Sequence, residues 1–407
     1  AGGSAKLGGS GTTPRLVREL DGPHFGDPGC CWLPPDTCGS VGPDHFVAVT
    51  NVNLSVYDKT SGQRTLNVSL ADFFGEGVGD PRVTYDVHHD RWAVLAMTGP
   101  AARVHVAYSL SGDPTGTWFK TVIDTAQDED VGRWADYPTL GVDVAGVYFA
   151  SHMVGPPDTM SIWAIDKAPL LAATPSLGTV SVWRNLPWEG AIQPCVTYGD
   201  PGGVYLVSRR SWNSLRLRQI TGPLTAPTLA QVGNPVVPSH GNAPDAPQKG
   251  TAATLGTLDI RPINAVYRDG SVWTTHTVTV DGRAGVRWYE LDVATATAVQ
   301  VGTVADESLY FYMPSISVNA ERDLLLGFTG SDEDTYAGAW ITGRRASDPL
   351  GETGPPLLFK PGEGPHTQMS SSGFNRWGDY SLTSVDPLDD QTFWTIQEYS
   401  GSNPNAW

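Results

Sequence analysis

A short motif recurs along the chain, and this repetition constrains the fold more than any other feature. Each copy has a polar residue, then Pro or Tyr, then alternating apolar residues. The copies are GDPRVTYD (79–86), ADYPTLGVD (135–143), IQPCVTYGD (192–200), DIRPINAVYRDG (259–270), YMPSISVN (312–319) and GDYSLTSVD (378–386), with an earlier relative, VGPDHFVAVTN, at 41–51. The Pro or Tyr anchors lie 38 to 68 residues apart. Seven units of this length are typical of a repeat architecture.

A tight turn and a second apolar run follow several of these motifs. In three copies an acidic or amide residue precedes an aspartate by four positions, at Asp86 and Asp90, Asn319 and Asp323, and Asp386 and Asp390. This spacing predicts a β-hairpin with Asx-type turn chemistry. Third strands with period-two alternation follow, as in RVHVAYSL and GVRWYELDV. The pattern predicts an all-β, seven-bladed β-propeller, with six or eight blades as alternatives because the first and last units are least regular.

The last unit contains only two clear strands, so the ring needs another strand to close it. We expect RLVREL, residues 15–20, to complete that blade and remove a free edge. The domain prediction is therefore a flexible N-terminal segment over 1–14 and one propeller domain over 15–407.

Charge and composition exclude some partners. The chain has 26 Lys and Arg against 43 Asp and Glu, a net charge of −17 that repels phosphate backbones and anionic membrane surfaces. The sequence contains no run of 18 apolar residues, which is about the length needed to span a membrane. A start without Met, few Lys, and many Trp and Gly indicate a mature exported chain, so the predicted location is secreted or extracellular.

Four cysteines fit an oxidising compartment: Cys30, Cys31, Cys38 and Cys195. A bond between neighbouring Cys30 and Cys31 is disfavoured sterically, which leaves two pairings. In both, one of these two residues pairs with Cys38 and the other with Cys195. The competing interpretation is a metal cluster with His24 or His45, although the spacing matches no common zinc pattern.

Several strings resemble exported bacterial proteins with a sialidase-like, BNR-type propeller, mostly of unassigned activity. They include PPDTCGSVGPDHFVAVTN, GDPRVTYD, SGDPTGTWF, DYPTLGV and RWGDYSLTSVDPLDDQTFWTIQEY, and the resemblance spans nearly the whole chain. It implies the propeller fold and export. SGDPTGTW (111–118) is similar to the Asp-box of that group, with Thr115 where Gly belongs, and implies a turn between third and fourth strands. A sialidase also has an Arg-Ile-Pro segment, whereas residues 260–262 read Ile-Arg-Pro.

In a propeller the innermost strands begin at one mouth of the central channel, so equivalent motif positions converge there. The residues predicted to meet are Asp80, Arg82, Asp136, Tyr137, Gln193, Asp259, Arg261, Tyr312, Asp379 and Tyr380. Asp80, Asp136 and Asp379 are the candidate catalytic carboxylates and the candidate metal ligands. The Arg, Tyr and Gln side chains are the candidate substrate-binding groups. Ca²⁺ prefers such oxygen ligands and is the predicted cofactor.

Two functions from different classes fit this ring of polar residues. In the first, the protein binds an extracellular glycan at the channel mouth, with Trp and Tyr rings beneath the sugar faces. Cleavage would make it a glycoside hydrolase, and the residues alone do not decide whether it is an enzyme. In the second, it is a non-enzymatic adhesion or surface scaffold with a structural metal ion and a cell-surface partner. Fold alone cannot choose between them.

Overall fold

The computed structural model describes residues 11–29, 32–369 and 373–403. In these ranges the chain is almost entirely β-structure, with two short helices, α1 (Leu70–Phe74) and α2 (Lys167–Leu170), and two 3₁₀ turns, Gly99–Ala101 and Asp128–Asp130. Ser69 caps α1 by accepting a hydrogen bond from the backbone N–H of Asp72 at 3.0 Å. None of the helices in these ranges is long and apolar enough to cross a membrane.

The strands follow one another in seven successive groups. The first two groups are β1 (Cys38–Val41), β2 (His45–Val49), β3 (Asn53–Asp58), β4 (Arg64–Ser69), and β5 (Gly79–Asp86), β6 (Arg91–Met97), β7 (Arg103–Ser109), β8 (Trp118–Asp124). The next two are β9 (Trp134–Asp136), β10 (Gly141–Val142), β11 (Gly146–Val154), β12 (Thr159–Asp166), β13 (Val180–Leu186), and β14 (Ile192–Pro194), β15 (Val196–Thr197), β16 (Gly203–Ser211), β17 (Ser214–Thr221), β18 (Thr228–Gly233). The last three are β19 (Asn264–Arg268), β20 (Ser271–Val280), β21 (Arg283–Asp292), β22 (Thr297–Val304); β23 (Tyr310–Val318), β24 (Leu324–Asp332), β25 (Thr335–Arg344), β26 (Leu357–Lys360); and β27 (Leu382–Val385), β28 (Phe393–Ile396).

The innermost strands of neighbouring groups contact one another around a ring. β1 contacts β5 and β27, β5 contacts β10, and β14 contacts both β10 and β19. β23 then contacts β19 on one side and β27 on the other, which closes the ring. The predicted all-β propeller arrangement is therefore confirmed. The predicted number of seven blades is not, because only four sheets of the described chain are separate four-stranded sheets.

Pairing between inner strands explains why the sheets are fewer than the groups. β10 pairs in parallel with β15 at Val142 and Val196, and β15 pairs in parallel with β19 at Val196 and Val266. These bridges merge the third group, the fifth group and β15 of the fourth into one ten-stranded sheet. Nearby, inner-strand residues surround a cavity of only about 20 Å³, roughly the space of one water. The channel is thus nearly filled at this level.

The predicted hairpin turns are confirmed at all three positions. The Asn319 side-chain oxygen accepts from the backbone N–H groups of Glu321 and Asp323 at 3.0 and 2.9 Å. Asp86 and Asp386 each accept from the N–H two residues later at 3.1 Å. Each side chain therefore satisfies the backbone donors of the turn that joins its inner strand to the next strand.

The Asp-box-like segment is also a turn, between β7 and β8. Asp113 accepts from the backbone N–H and the hydroxyl of Thr115 at 2.9 and 2.7 Å. Trp118 donates its indole N–H to the Pro114 carbonyl at 3.0 Å and packs edge-on against Phe73. The turn is self-contained, which agrees with a stabilising role.

The prediction of a closing strand at 15–20 is wrong, because this segment forms no strand. Leu16 is 43% and Val17 73% exposed, and only Leu20 packs, partly buried, against the core beside Phe46 and Tyr57. Side chains attach it instead: Arg18 donates to the carbonyls of Lys59 and Thr60 at 2.5 and 2.9 Å. The segment still lies beside the two-stranded sheet β27–β28, where it lines a cavity of about 670 Å³. Residues 1–10 of the predicted flexible segment lie outside the described residues.

The first motif copy is also placed differently from the prediction. Its anchor, Pro43, lies in the turn between β1 and β2, and the inner strand begins earlier, at Cys38. Residues 41–51 resemble an inner strand because five of the eleven form β2, in which all residues but His45 are buried.

The structure shows neither predicted disulfide at Cys38 or Cys195, which are both free and buried. The Cys38 sulfur accepts from the N–H of Val83 at 3.4 Å, and burial raises the pKa of the Cys195 thiol. Each sulfur is therefore accommodated as a small apolar side chain of the core. Cys30 and Cys31 lie outside the described residues.

Candidate functional site

The channel mouth, where the inner strands begin, contains an unusual backbone feature. Asp80, Tyr137 and Met313 each precede a proline of the repeated motif, and each has a left-handed φ, of 50°, 49° and 51°. Side chains other than glycine rarely adopt this conformation, especially before proline. Such backbone strain persists only where surrounding contacts impose it, and it occurs preferentially at functional sites.

Hydrogen bonds tie the aspartates of the mouth together. Asp80 accepts from the backbone N–H of Tyr137 at 3.2 Å, while its own N–H donates to Asn51 at 2.7 Å. Asn51 donates to one oxygen of Asp36 at 2.5 Å, and the other oxygen accepts from the N–H of Asp379 at 2.8 Å. Through Asp36 and Asn51, the first unit therefore joins two aspartates predicted from the motif.

A glutamate from the end of the chain completes this group. One carboxylate oxygen of Glu398 accepts from the hydroxyl of Thr37 at 3.0 Å, and the other has no partner among the described residues. Gly378 makes room for it, since a Cβ at this position would lie 2.7 Å from the carboxylate. The related copy of the motif has Ala135 at the equivalent position.

Burial and mutual repulsion raise the pKa values of these acids. Burial, then the charges of Asp379 and Asp136, raises the pKa of Asp80 to about 7. Burial raises the pKa of Glu398 to about 8. The pKa of Asp36 is raised well above its ordinary value by burial and by Asp379, and that of Asp136 is raised for the same two reasons. Burial and repulsion therefore both favour the neutral form of these acids.

Arginine and tyrosine side chains form the adjoining wall. The Arg82 guanidinium lies 3.3 Å from the centroid of the Tyr380 ring and donates to the Pro138 carbonyl at 2.9 Å. The Arg261 guanidinium lies 4.4 Å from the centroid of the Tyr137 ring. The Tyr137 hydroxyl donates to the backbone carbonyl of Asp379 at 3.1 Å, which links this wall to the acids.

The acids, arginines and tyrosines at the channel mouth form one group, which we call the mouth cluster. Its members are Asp36, Asp80, Asp136, Asp379, Glu398, Arg82, Arg261, Arg376, Tyr137 and Tyr380. Arg376 pairs with Asp379 at 2.7 Å, and its side chain is 47% exposed. Arg261 holds Asp259 through two hydrogen bonds at 2.8 and 3.0 Å. Solvent therefore reaches the guanidinium that pairs with Asp379.

The remaining two predicted residues use their polar atoms inside the fold. Gln193 donates to the Pro262 carbonyl at 2.8 Å and is 2% exposed. The Tyr312 hydroxyl bonds the hydroxyl of Ser331 at 3.0 Å, and the ring is fully buried. Neither side chain presents a polar group to the mouth, and their role in substrate binding stays a prediction.

Sequence reasoning did not identify Asp36, Asn51 and Glu398. Glu398 lies after the last strand and outside any copy of the motif, so no periodic signal marks it. Asp36 has a left-handed φ of 49°, like Asp80. Its signal is Pro-Asp immediately before the first strand, which could have been recognised once that strand was placed at Cys38.

The predicted metal site receives no support from the geometry. Among the described residues, no group of three His, Cys, Asp or Glu side chains is arranged to hold a metal ion. Asp379 is paired with Arg376, and Asp80 accepts from a backbone N–H. Burial and the neighbouring carboxylates raise the pKa values of Asp36 and Asp80. Ca²⁺ at Asp80, Asp136 and Asp379 stays a prediction.

Comparison with known protein families finds no matching family, and comparison with curated proteins finds no match either. Similar solved structures include the subtype N10 neuraminidase-like protein of A/little yellow-shouldered bat/Guatemala/060/2010 (7% identity, 77% of this chain and 95% of that chain, TM-score 0.44). They also include parainfluenza virus 5 hemagglutinin-neuraminidase (12% identity, 85% and 94%, TM-score 0.44) and the Penicillium chrysogenum alpha-L-arabinanase complexed with arabinobiose (13% identity, 80% and 97%, TM-score 0.43). At these TM-scores the likenesses add nothing to the argument about function.

Proposed function

We propose that this protein binds an extracellular glycan at the channel mouth and hydrolyses it by general acid–base catalysis. One observation supports this most: Asp80 and Glu398 have pKa values near or above 7 beside the ion-paired Asp379. A carboxylic acid that keeps its proton next to an ionised carboxylate is the pair that glycoside hydrolysis requires.

The proposed roles follow from position and protonation. Asp80 would protonate the glycosidic oxygen, because its pKa of about 7 leaves a transferable proton at neutral pH. Asp136 and Asp379 would stabilise the developing positive charge or activate water. Arg376, which pairs with Asp379 and is half exposed, would hold a hydroxyl or carboxylate of the sugar. Tyr137 and Tyr380 would position the acids by holding the wall of the site in place.

A glycan array and a hydrolysis screen test this proposal on the wild type, Asp136→Asn and Asp379→Asn. We expect the wild type to bind and cleave at least one glycan, and each variant to lose a factor of about 10²–10⁴ in turnover. Asp200→Asn, in the exposed turn before β16, is the matched control and should retain full activity. An activity that survives both variants would exclude these residues from catalysis.

The non-enzymatic scaffold is the second candidate, and one observation favours it. Arg82, Gln193 and Tyr312 are almost fully buried, and each has a hydrogen-bond partner within the fold. A wild-type protein that neither binds nor cleaves any glycan would make this the better description of the polar ring.

We also propose that the ring has seven blades and that the protein works outside the cell. The contacts of β1, β5, β10, β14, β19, β23 and β27 around the channel support the first statement. The acidic, tryptophan-rich composition supports the second. An experimental structure would count the blades, and fractionation of the producing cells would locate the protein. Metal analysis and a thermal melt with EDTA would test the separate prediction of Ca²⁺.

A further inference from the structure

Two exposed tryptophans lie beside the mouth cluster. Trp188 precedes β14, and Trp212 lies in the turn between β16 and β17. They are 42% and 53% exposed, unlike the fully buried Trp92 and Trp163. Because β16 runs antiparallel to β14, the start of β14 and the end of β16 lie at the same end of the sheet. Both tryptophans therefore lie at the mouth end of this sheet.

A guanidinium lies between the two indoles. The Arg209 guanidinium carbon is 5.8 Å from the centroid of the Trp188 ring and 5.5 Å from that of Trp212. Within the described ranges of the chain, no carboxylate forms an ion pair with Arg209, although acidic residues outnumber basic ones, 43 to 26. Its charge helps to lower the pKa of Asp259, but that carboxylate is hydrogen-bonded to Arg261, so the Arg209 guanidinium can still bind a ligand. It gives this surface a local positive charge on a chain whose net charge is −17.

This aromatic surface is continuous with the mouth cluster. The His152 ring lies 6.1 Å from Trp188, and His152 is paired in register with Asp136. Two residues after Trp188, Gly190 packs against Arg261, since a Cβ there would lie 3.1 Å from the Arg261 Cβ. A chain molecule leaving the mouth past Asp136 would therefore cross Trp188 before it reached Trp212.

We propose that Trp188, Arg209 and Trp212 form an accessory binding surface for an anionic polysaccharide that contains uronic acids. Indole faces stack on the C–H faces of sugar rings, and a guanidinium binds a carboxylate through paired hydrogen bonds. Two indoles with a cation between them thus match sugar rings carrying a carboxylate. This inference rests on the proposed function, because it assigns the class of glycan that the mouth would receive.

The test measures binding of polygalacturonate, alginate and hyaluronan, each beside its carboxyl-reduced, neutral counterpart. We expect the wild type to prefer at least one acidic form. Trp188→Ala and Trp212→Ala should each weaken its binding about tenfold or more, since stacking on an exposed ring is lost. Arg209→Gln should remove the preference for the acidic over the reduced form. Leu388→Ala, also at an exposed apolar residue but in the turn after β27, should bind like the wild type.

Several outcomes would overturn the inference. These are no binding of any acidic polysaccharide by the wild type, unchanged binding by both tryptophan variants, or a wild-type dimer that becomes a monomer in them by size-exclusion chromatography. The fate of the proposed hydrolysis is read separately from Asp136→Asn. If the tryptophan variants lose binding and the wild type hydrolyses no glycan, the result supports this surface and contradicts cleavage. If the tryptophan variants still hydrolyse the glycan and bind it as the wild type does, the result supports cleavage at the mouth and contradicts this surface.

Discussion

The Glu398 carboxyl should make the stability of the protein depend on pH with a sign that is unusual for an acid. Its pKa in the folded protein is raised to about 8, whereas the unfolded chain releases this proton near the ordinary value of 4.5. Between these pH values the folded state binds more protons, so the free energy of unfolding falls as the pH rises through that window. An acid whose pKa is lowered by folding would instead make the free energy of unfolding rise with pH.

We therefore expect Glu398→Gln to flatten the pH dependence of stability between pH 5 and 8. At pH 8.5 the variant should exceed the wild type by about 1–3 kcal/mol in free energy of unfolding, because no charge is then buried at this position. Urea denaturation at several pH values measures this. Glu333→Gln, at an exposed glutamate, should keep the wild-type slope, and an equal slope in Glu398→Gln would contradict the argument.

Gly378 provides a second prediction at the same position. In Gly378→Ala the new methyl would lie 2.7 Å from the buried Glu398 carboxylate, so the carboxylate or the backbone must shift. We expect a loss of about 1–3 kcal/mol in stability, together with a changed pH slope, measured as for Glu398→Gln. Gly77→Ala is the control, because the methyl that it adds would have nothing within 4 Å. Unchanged stability in Gly378→Ala would refute the close fit.

The sequence predicts the site residues that lie in copies of the repeated motif, and it does not predict those that lie outside them. Asp80, Asp136 and Asp379 converge because equivalent motif positions fall at the start of inner strands. Glu398 comes from the final segment, and its position depends on how the ring closes, which no local pattern encodes. Arg82 belongs to the motif, yet its stacking on Tyr380 is set by contact between different sheets.

At the scale of the element, a buried ion pair joins α2 to the end of β5. Lys167 is 1% exposed and Asp86 is fully buried, with 2.5 Å between the ammonium nitrogen and a carboxylate oxygen. Tyr108 donates to the same carboxylate at 2.6 Å, and Lys167 also donates to the Asp143 carbonyl. The sequence predicts Asp86 as a turn residue, but it does not predict the ion pair, because Lys167 comes from the following unit.

We expect Lys167→Met to destabilise the protein by about 3–5 kcal/mol, because Asp86 would stay buried without its counter-charge. The double variant Asp86→Asn/Lys167→Met should recover part of this loss, since the uncompensated charge is removed. Lys360→Met breaks a more exposed pair with Glu19 at 3.6 Å and should cost at most about 1 kcal/mol. Chemical denaturation compares the three, and equal losses in the two single variants would contradict the expectation.

The elements also show where prediction from sequence stops. Hairpin turns follow from local Asx chemistry and could be predicted from four residues each. The segment 15–20 is expected to form a strand because the last unit has only two, but its own sequence, RLVREL, does not alternate apolar and polar residues. Whether a strand forms depends on a partner with free backbone groups in register, and that is decided by the rest of the ring.

At the scale of the whole molecule, closure of the ring depends on an incomplete sheet. β27 pairs only with β28, so two outer positions that β25 and β26 occupy in the neighbouring sheet have no strand. The segment 12–23 occupies this side, with Thr12 bonded to Asp348 and Arg18 to the β3–β4 turn. It thus bridges the sheets on either side of β27–β28 through side chains.

We therefore expect deletion of residues 1–22 to lower the melting temperature by several degrees, because it uncovers Trp394 and Ile396 of β28 and removes the bridge. Deletion of residues 1–10 alone retains Thr12 and Arg18 and should melt like the full chain. Arg18→Ala should have an intermediate effect, since it removes the two bonds to the Lys59 and Thr60 carbonyls. Scanning calorimetry measures all three. If the longer deletion melts at the wild-type temperature, the ring is closed by the contacts of β27 with β1 and β23 alone, and the segment is not a structural closure.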